Sequence, residues 1–60
     1  MNANDSFIIG FNYGKRNGRE LTASEIGVQF PDVDEAAFAQ GNIDGMLGDR
    51  FRLKLALKTK

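Results

Sequence analysis

The chain contains no cysteine, no histidine and no tryptophan, and it has a single proline. Without cysteine no disulfide can form, and without cysteine or histidine the usual zinc ligand sets cannot be assembled. Nucleophilic or acid–base chemistry by either residue is excluded for the same reason. We therefore predict a protein that is not an enzyme and that uses no metal and no cofactor.

The chain is also short, with 60 residues. A domain of this size buries only about 60% of the surface that its unfolded chain exposes, so its core is thin. We expect one small domain over residues 1–60, with disordered ends at about 1–5 and 59–60. Self-association is the remaining way to reinforce such a core, which makes a homodimer one candidate assembly.

Long apolar runs are missing, the longest being the three residues from Phe7 to Ile9. A membrane-spanning helix needs about 20 consecutive apolar residues. The segment from Met1 to Ser6 carries no cationic start that would indicate a secretory signal. The sequence therefore predicts a cytoplasmic protein without membrane contact.

Positively and negatively charged residues are unevenly distributed along the sequence, although the formal net charge is zero. The net charge is +2 over residues 1–19, −7 over 20–49 and +5 over 50–60. Residues 20–49 contain no lysine or arginine. Such segregation can produce surfaces of opposite potential on a neutral molecule.

Apolar and other residues alternate from Phe7 to Tyr13, which is the period of a strand with one buried face. The dipeptide Asn17-Gly18 follows, and it is a strong signal for a tight hairpin turn because both positions of that turn need positive φ. The sequence predicts a hairpin that ends near Phe30.

The register of this hairpin pairs Ile9 with Ile26 and Phe7 with Val28, so that apolar residues of both strands share one face. Pro31 then marks the junction to a helix. Asp32 as the N-cap and Glu35 three residues later predict a helix from about Val33, which ends near Gly41 or Gly48.

Apolar and basic residues alternate again in the last segment, which predicts a third strand from about Arg50 with a basic outer face. A helix from Asp49 is the alternative. The predicted fold is α+β: a small three-stranded antiparallel-type sheet with one covering helix, in the order β-β-α-β.

A local rival to the second strand is a short turn before Ile26, because residues 22–25, Thr-Ala-Ser-Glu, have the spacing of a helix capping box. One recurrence favours a competing all-α fold, a two-helix hairpin with a C-terminal segment. Phe7, Gly10 and Gly14 recur at the same spacing 31 residues later, as Phe38, Gly41 and Gly45. Two similar helices that pack through small residues would explain the recurrence.

Acidic motifs point only weakly to metal chemistry. Residues 42–45, Asn-Ile-Asp-Gly, resemble the middle of a calcium loop, but a loop with Gly45 at its sixth position lacks the bidentate glutamate. The acids around Asp34 are explained by helix capping.

The leading functional hypothesis is a non-enzymatic protein-binding module, a small regulator or inhibitor of a larger macromolecule that acts through charged surfaces. The alternative is a nucleic-acid-binding protein that uses the basic strand face. The expected partner is another protein, and nucleic acid is the second expectation. The candidate partner-binding residues are Arg50, Arg52, Lys54, Lys58, Asp32, Asp34, Glu35 and Asp44.

Overall fold

The computed structural model describes the backbone of residues 1–58 and the side chains of residues 1–48. Within this part of the chain there are three helices and no strand: α1 (Ala3–Asn17), α2 (Ala23–Gln29) and α3 (Glu35–Lys58). The predicted α+β fold is therefore wrong, and the all-α alternative fits. The predicted disordered end at 59–60 lies outside the described residues.

Helix α1 replaces the first predicted strand and is closed at both ends. Asn2 is the N-cap, and its side chain accepts a hydrogen bond from the backbone N–H of Asp5. Gly18 is the C-cap with φ 62°, and its N–H donates to the carbonyl of Gly14 at 2.8 Å. The positive φ that predicted a hairpin turn is thus used by a left-handed helix end, where glycine is also preferred.

Helix α2 begins at the capping box that the sequence contains. The Thr22 hydroxyl accepts from the Glu25 N–H, and the Glu25 carboxylate accepts from the Thr22 N–H. This reciprocal pair satisfies two N–H groups that a helix start would otherwise leave unpaired. The segment predicted as the second strand is helical for this reason.

Helix α3 begins at Glu35, two residues later than the predicted start at Val33. The Asp34 side chain, not that of Asp32, accepts from the N–H of Ala37 at 3.1 Å, and Glu35 is the first helical residue. The helix continues through both Gly41 and Gly48 to Lys58. The predicted third strand from Arg50 is therefore wrong, and its basic strand face does not exist.

Helices α1 and α3 pack directly through four glycines, which we call the glycine seam: Gly10, Gly14, Gly41 and Gly45. A Cβ atom built on Gly10 would lie 2.2 Å from the Phe38 carbonyl oxygen, and one on Gly41 would lie 2.1 Å from that of Phe7. No real side chain tolerates such distances. The backbones meet because small residues leave no side chain between them.

The two helices run parallel. Gly10 faces the backbone of Phe38 and Asn42, whereas Gly14, one turn later, faces Asn42 and Met46, one turn further along α3. The contacts are reciprocal, since Gly41 and Gly45 face the backbone of α1 in the same way. The 31-residue recurrence in the sequence is therefore a real structural repeat, but it builds a parallel pair and not the expected antiparallel hairpin.

The hydrophobic core lies on one side of this helix pair, beneath α2. Leu21, Ile26 and Phe38 are its fully buried members. The rings of Tyr13 and Phe30 pack against Phe38, with the Phe30 and Phe38 centroids 4.8 Å apart. Residue Val28, which the hairpin register placed on the core face, is 82% exposed on α2. The predicted register is wrong at this position.

Asn42 attaches the connection between α1 and α2 to α3. Its side chain is fully buried, its Oδ1 accepts from the N–H of Leu21 at 2.7 Å, and its Nδ2 donates to the carbonyl of Arg19 at 2.9 Å. One side chain thereby holds the chain as it leaves α1 and places Leu21 in the core. At the opposite end, the buried Ser6 hydroxyl accepts from the Asp34 N–H at 2.8 Å.

We expect Asn42→Leu to lower the free energy of unfolding by about 2–3 kcal/mol, because the buried N–H of Leu21 loses its acceptor. Asn42→Asp should cost a similar amount at neutral pH but less near pH 3. Burial raises the pKa of such a carboxyl above its unfolded value, so the protonated form, which can again donate to Arg19, is favoured in acid. Urea unfolding of both variants and the parent at pH 3 and pH 7 measures this. If Asn42→Asp lowers the free energy of unfolding by the same amount at both pH values, the role of Asn42 as a donor is contradicted.

Candidate functional site

The two sides of the parallel helix pair differ in how they are covered. Phe38 and Asn42 lie on the side covered by α2 and are fully buried. Their counterparts in the 31-residue repeat, Phe7 and Phe11, are not packed against the core cluster. Positions that the repeat makes equivalent therefore differ in burial: Phe38 and Asn42 are fully buried, Phe7 is partly buried and Phe11 is exposed.

The uncovered side carries an apolar patch that we call the open face, formed by Phe7, Ile8 and Phe11 of α1. The rings of Phe7 and Phe11 stack with centroids 6.4 Å apart. Phe11 is 36% exposed and Ile8 is 54% exposed. Three large apolar side chains on one turn of helix thus remain in contact with water.

A cleft of about 250 Å³ lies on the other flank of α1, beside the end of α2. It is lined by Ile9, Asn12, Tyr13, Arg16, Asn17 and Phe30. The apolar residues form its wall toward the core, and the two amides and the guanidinium belong to the exposed surface of α1. Residues Ile8 and Asn12 are one turn apart, so the outer surface of α1 joins the open face to the cleft.

Three of the four predicted acidic residues gather at one end of the molecule. Asp34 caps α3, Glu35 occupies its first turn, and Asp32 lies in the preceding turn. Asp5 lies in the first turn of α1, which begins at the same end because the helices are parallel. Two parallel helix dipoles place partial positive charge there, and the acids stabilise it.

The opposite ends of the helices carry basic residues. Lys15 and Arg16 lie in the last turn of α1, where the dipole favours cations. The predicted basic outer face of a sheet is therefore wrong, and these charged residues instead match the dipole at each helix end. Four predicted partner-binding residues lie in α3 beyond the described side chains: Arg50, Arg52, Lys54 and Lys58.

Asp44 is the remaining predicted site residue, and it stands apart from the other acids. It is exposed in the middle of α3, where its carboxylate accepts from the side-chain amide of Gln40 at 3.1 Å. The calcium-loop segment 42–45 is continuous helix. Among the residues that the structure describes, no group of three acidic side chains is arranged to hold a metal ion.

The pKa of Glu25 is lowered from its usual value. The largest cause is a hydrogen bond from the Thr22 backbone; desolvation opposes it, and the Thr22 side chain and the nearby Arg19 guanidinium lower the pKa further. Glu25 also forms the ion pair with Arg19. This shift belongs to the capping box of α2 and reflects a structural role.

Sequence reasoning missed the open face and the cleft. The strand interpretation placed Phe7 and Phe11 in the core, together with Ile9 and Tyr13. The recurrence of Phe7 as Phe38 contains the signal that separates Phe7 and Phe11 from Ile9 and Tyr13. It predicts a pair of helices, and such a pair has two flanks.

None of the helices within residues 1–58 has both the length and the apolar character that crossing a membrane requires. Comparison with models of known protein families, with curated proteins and with solved structures found no match to this chain.

Proposed function

We propose that this protein is a non-enzymatic helical module that binds another protein through the outer surface of α1. The observation that carries this proposal is the unequal covering of the helix pair. The repeat places an aromatic ring on each flank. Among the described side chains, Phe38 is fully buried, whereas Phe7 is partly buried and Phe11 is 36% exposed. The apolar residues of the open face therefore support the proposal that a partner protein binds there and covers the flank opposite to Phe38.

The composition of the open face also supports protein binding. Aromatic side chains are enriched among the residues that contribute most to protein interfaces. Phe7 and Phe11 are held by a helix that the glycine seam fixes against α3, so little conformational entropy is lost when they are buried. The nucleic-acid alternative loses the basic strand face that motivated it, because the backbone of residues 50–58 is helical and forms no strand.

Affinity capture with matched surface variants tests the proposal. The immobilised chain is compared with Ile8→Ser, Phe11→Ser and Val28→Ser in cell extract, and the retained proteins are quantified by mass spectrometry. We expect one or more proteins that the parent and Val28→Ser retain equally and that Ile8→Ser and Phe11→Ser retain at least about tenfold less, a loss of about 1.4 kcal/mol.

Val28 is the matched control because it is also apolar and exposed but lies on α2, away from the open face. Far-ultraviolet circular dichroism should show the same helix content in all four proteins, because the altered side chains are at the surface. Retention of nothing, or equal retention by every variant, would refute the proposal.

A further inference from the structure

The cleft beside α1 combines an apolar interior with a cationic rim. Ile9, Tyr13 and Phe30 are partly buried and pack on the core cluster. Tyr13 and Phe30 meet edge to face, with ring centroids 6.0 Å apart and planes at 83°. The cleft therefore has walls of fixed geometry.

The rim is formed by exposed side chains of α1. Arg16 contributes a guanidinium, and Asn12 and Asn17 contribute amides. The Asn17 amide nitrogen donates to the Tyr13 carbonyl at 3.0 Å, which fixes the orientation of that side chain. The lining residues include no acid, and the last turn of α1 is basic. This rim favours an anionic group.

The size of the cleft limits what enters it. Its volume of about 250 Å³ is below the roughly 300–1,000 Å³ of sites that enclose a whole drug-sized molecule. It matches a single large side chain. An apolar side chain in the interior and a carboxylate at the rim would use both parts of the cleft.

We infer that the cleft is a recognition site for an acidic peptide segment of the partner, in which one aromatic side chain packs against Ile9, Tyr13 and Phe30 and a neighbouring carboxylate pairs with Arg16. This inference rests on the proposed function, because it names the chemistry of the same partner. The outer surface of α1, from Phe11 through Ile8 to Asn12, connects this cleft to the open face.

Titration with synthetic pentapeptides tests the inference directly. The probe is an acetylated and amidated peptide with phenylalanine at its centre and glutamate at the other four positions. Tyr13 is the single tyrosine and the chain has no tryptophan, so intrinsic fluorescence reports on this cleft. We expect a saturable change in Tyr13 fluorescence, together with ¹⁵N–¹H shifts at Asn12, Arg16 and Asn17.

Two control peptides and two protein variants define the specificity. A peptide with lysine in place of glutamate, and one with alanine in place of phenylalanine, should each bind at least about tenfold more weakly. Arg16→Gln should weaken binding of the original peptide about two- to fivefold, the effect of one exposed ion pair. Lys15→Gln removes the same charge one position away but outside the cleft, and it should change the affinity by less than about 1.5-fold.

Absence of saturable binding, or equal effects of Arg16→Gln and Lys15→Gln, would overturn the inference. Shifts confined to Phe7, Ile8 and Phe11 would overturn it too, since they would place the peptide on the open face. The proposed function fails separately, through the capture experiment with Ile8→Ser and Phe11→Ser. If those variants lose the captured protein but no peptide binds at the cleft, the proposed function is supported and only the cleft is excluded as a recognition site.

Discussion

Replacing Gly10 or Gly41 with alanine should lower the free energy of unfolding by about 3 kcal/mol or more. The new Cβ atom would lie 2.2 Å or 2.1 Å from a carbonyl oxygen of the facing helix. Because the obstacle is backbone within a helix, no side chain can rotate away, and the two helices must separate. A chain of this length is expected to have a total stability of only about 3–9 kcal/mol. The double variant should therefore be unfolded at 25 °C.

Two other glycines provide matched controls for the same substitution. A Cβ atom on Gly27 of α2 or Gly48 of α3 would meet nothing within 4 Å. Alanine at either position should raise the stability by about 0.5–1 kcal/mol, because alanine is the better helix former. Thermal unfolding followed by circular dichroism compares all four variants. A Gly10→Ala protein as stable as Gly27→Ala would show that α1 and α3 do not meet at the glycine seam.

The second large effect is expected at Phe38. This side chain is 0% exposed, and its truncation to alanine should cost about 3–5 kcal/mol, through lost burial and the cavity left between Tyr13 and Phe30. Phe7 is its repeat counterpart on the uncovered flank. Phe7→Ala should cost only about 1–2 kcal/mol, because that side chain is only partly buried.

Chemical denaturation of Phe38→Ala and Phe7→Ala under the same conditions measures the difference. The deletion is chemically identical, and both residues lie in helices at equivalent positions of the repeat. Equal losses would mean that both flanks are covered, and the open face would not be a free surface.

The strand prediction failed for a reason that lies in the glycine seam. Seen along α1, Gly10 and Gly14 face α3, whereas Ile9 and Tyr13 lie on one flank of the seam. Phe7 and Phe11 lie on the other flank. The two residues of each pair are four positions apart, and the second pair is shifted by two positions from the first. Together the pairs place an apolar residue at every second position of the sequence. A helix packed through glycine thus imitates the alternation of a strand.

Local signals at the helix ends were more reliable than periodicity. The capping box at Thr22 indicated a short turn before Ile26 as a rival to the strand, and α2 begins there, because this signal depends only on residues three apart in the chain. Asn17-Gly18 correctly indicated a positive φ, although that geometry ends a helix as well as it turns a hairpin. To choose between a hairpin turn and a helix end, one has to know which segment packs against α1. That segment is α3, whose equivalent residues lie 31 positions later in the sequence.

The candidate site was less predictable than the fold. Asp32, Asp34 and Glu35 were chosen for their charge, but the structure assigns Asp34 to a helix cap and places Glu35 in the first turn. The cleft brings Phe30 to Arg16, two residues from different helix ends that share no sequence pattern. Such a site depends on how α2 packs, which composition and spacing do not encode.

The parallel arrangement of α1 and α3 also has a consequence for how the chain folds. Contacts in the glycine seam join positions that are 28–34 residues apart in a 60-residue chain. None of these contacts can form until the long segment between α1 and α3 has closed into a loop. This closure costs conformational entropy, and the cost arises before any contact in the glycine seam compensates for it. Small helical proteins fold quickly when their contacts are local. This protein should fold more slowly than helical domains of its size, at a rate closer to that of sheet proteins.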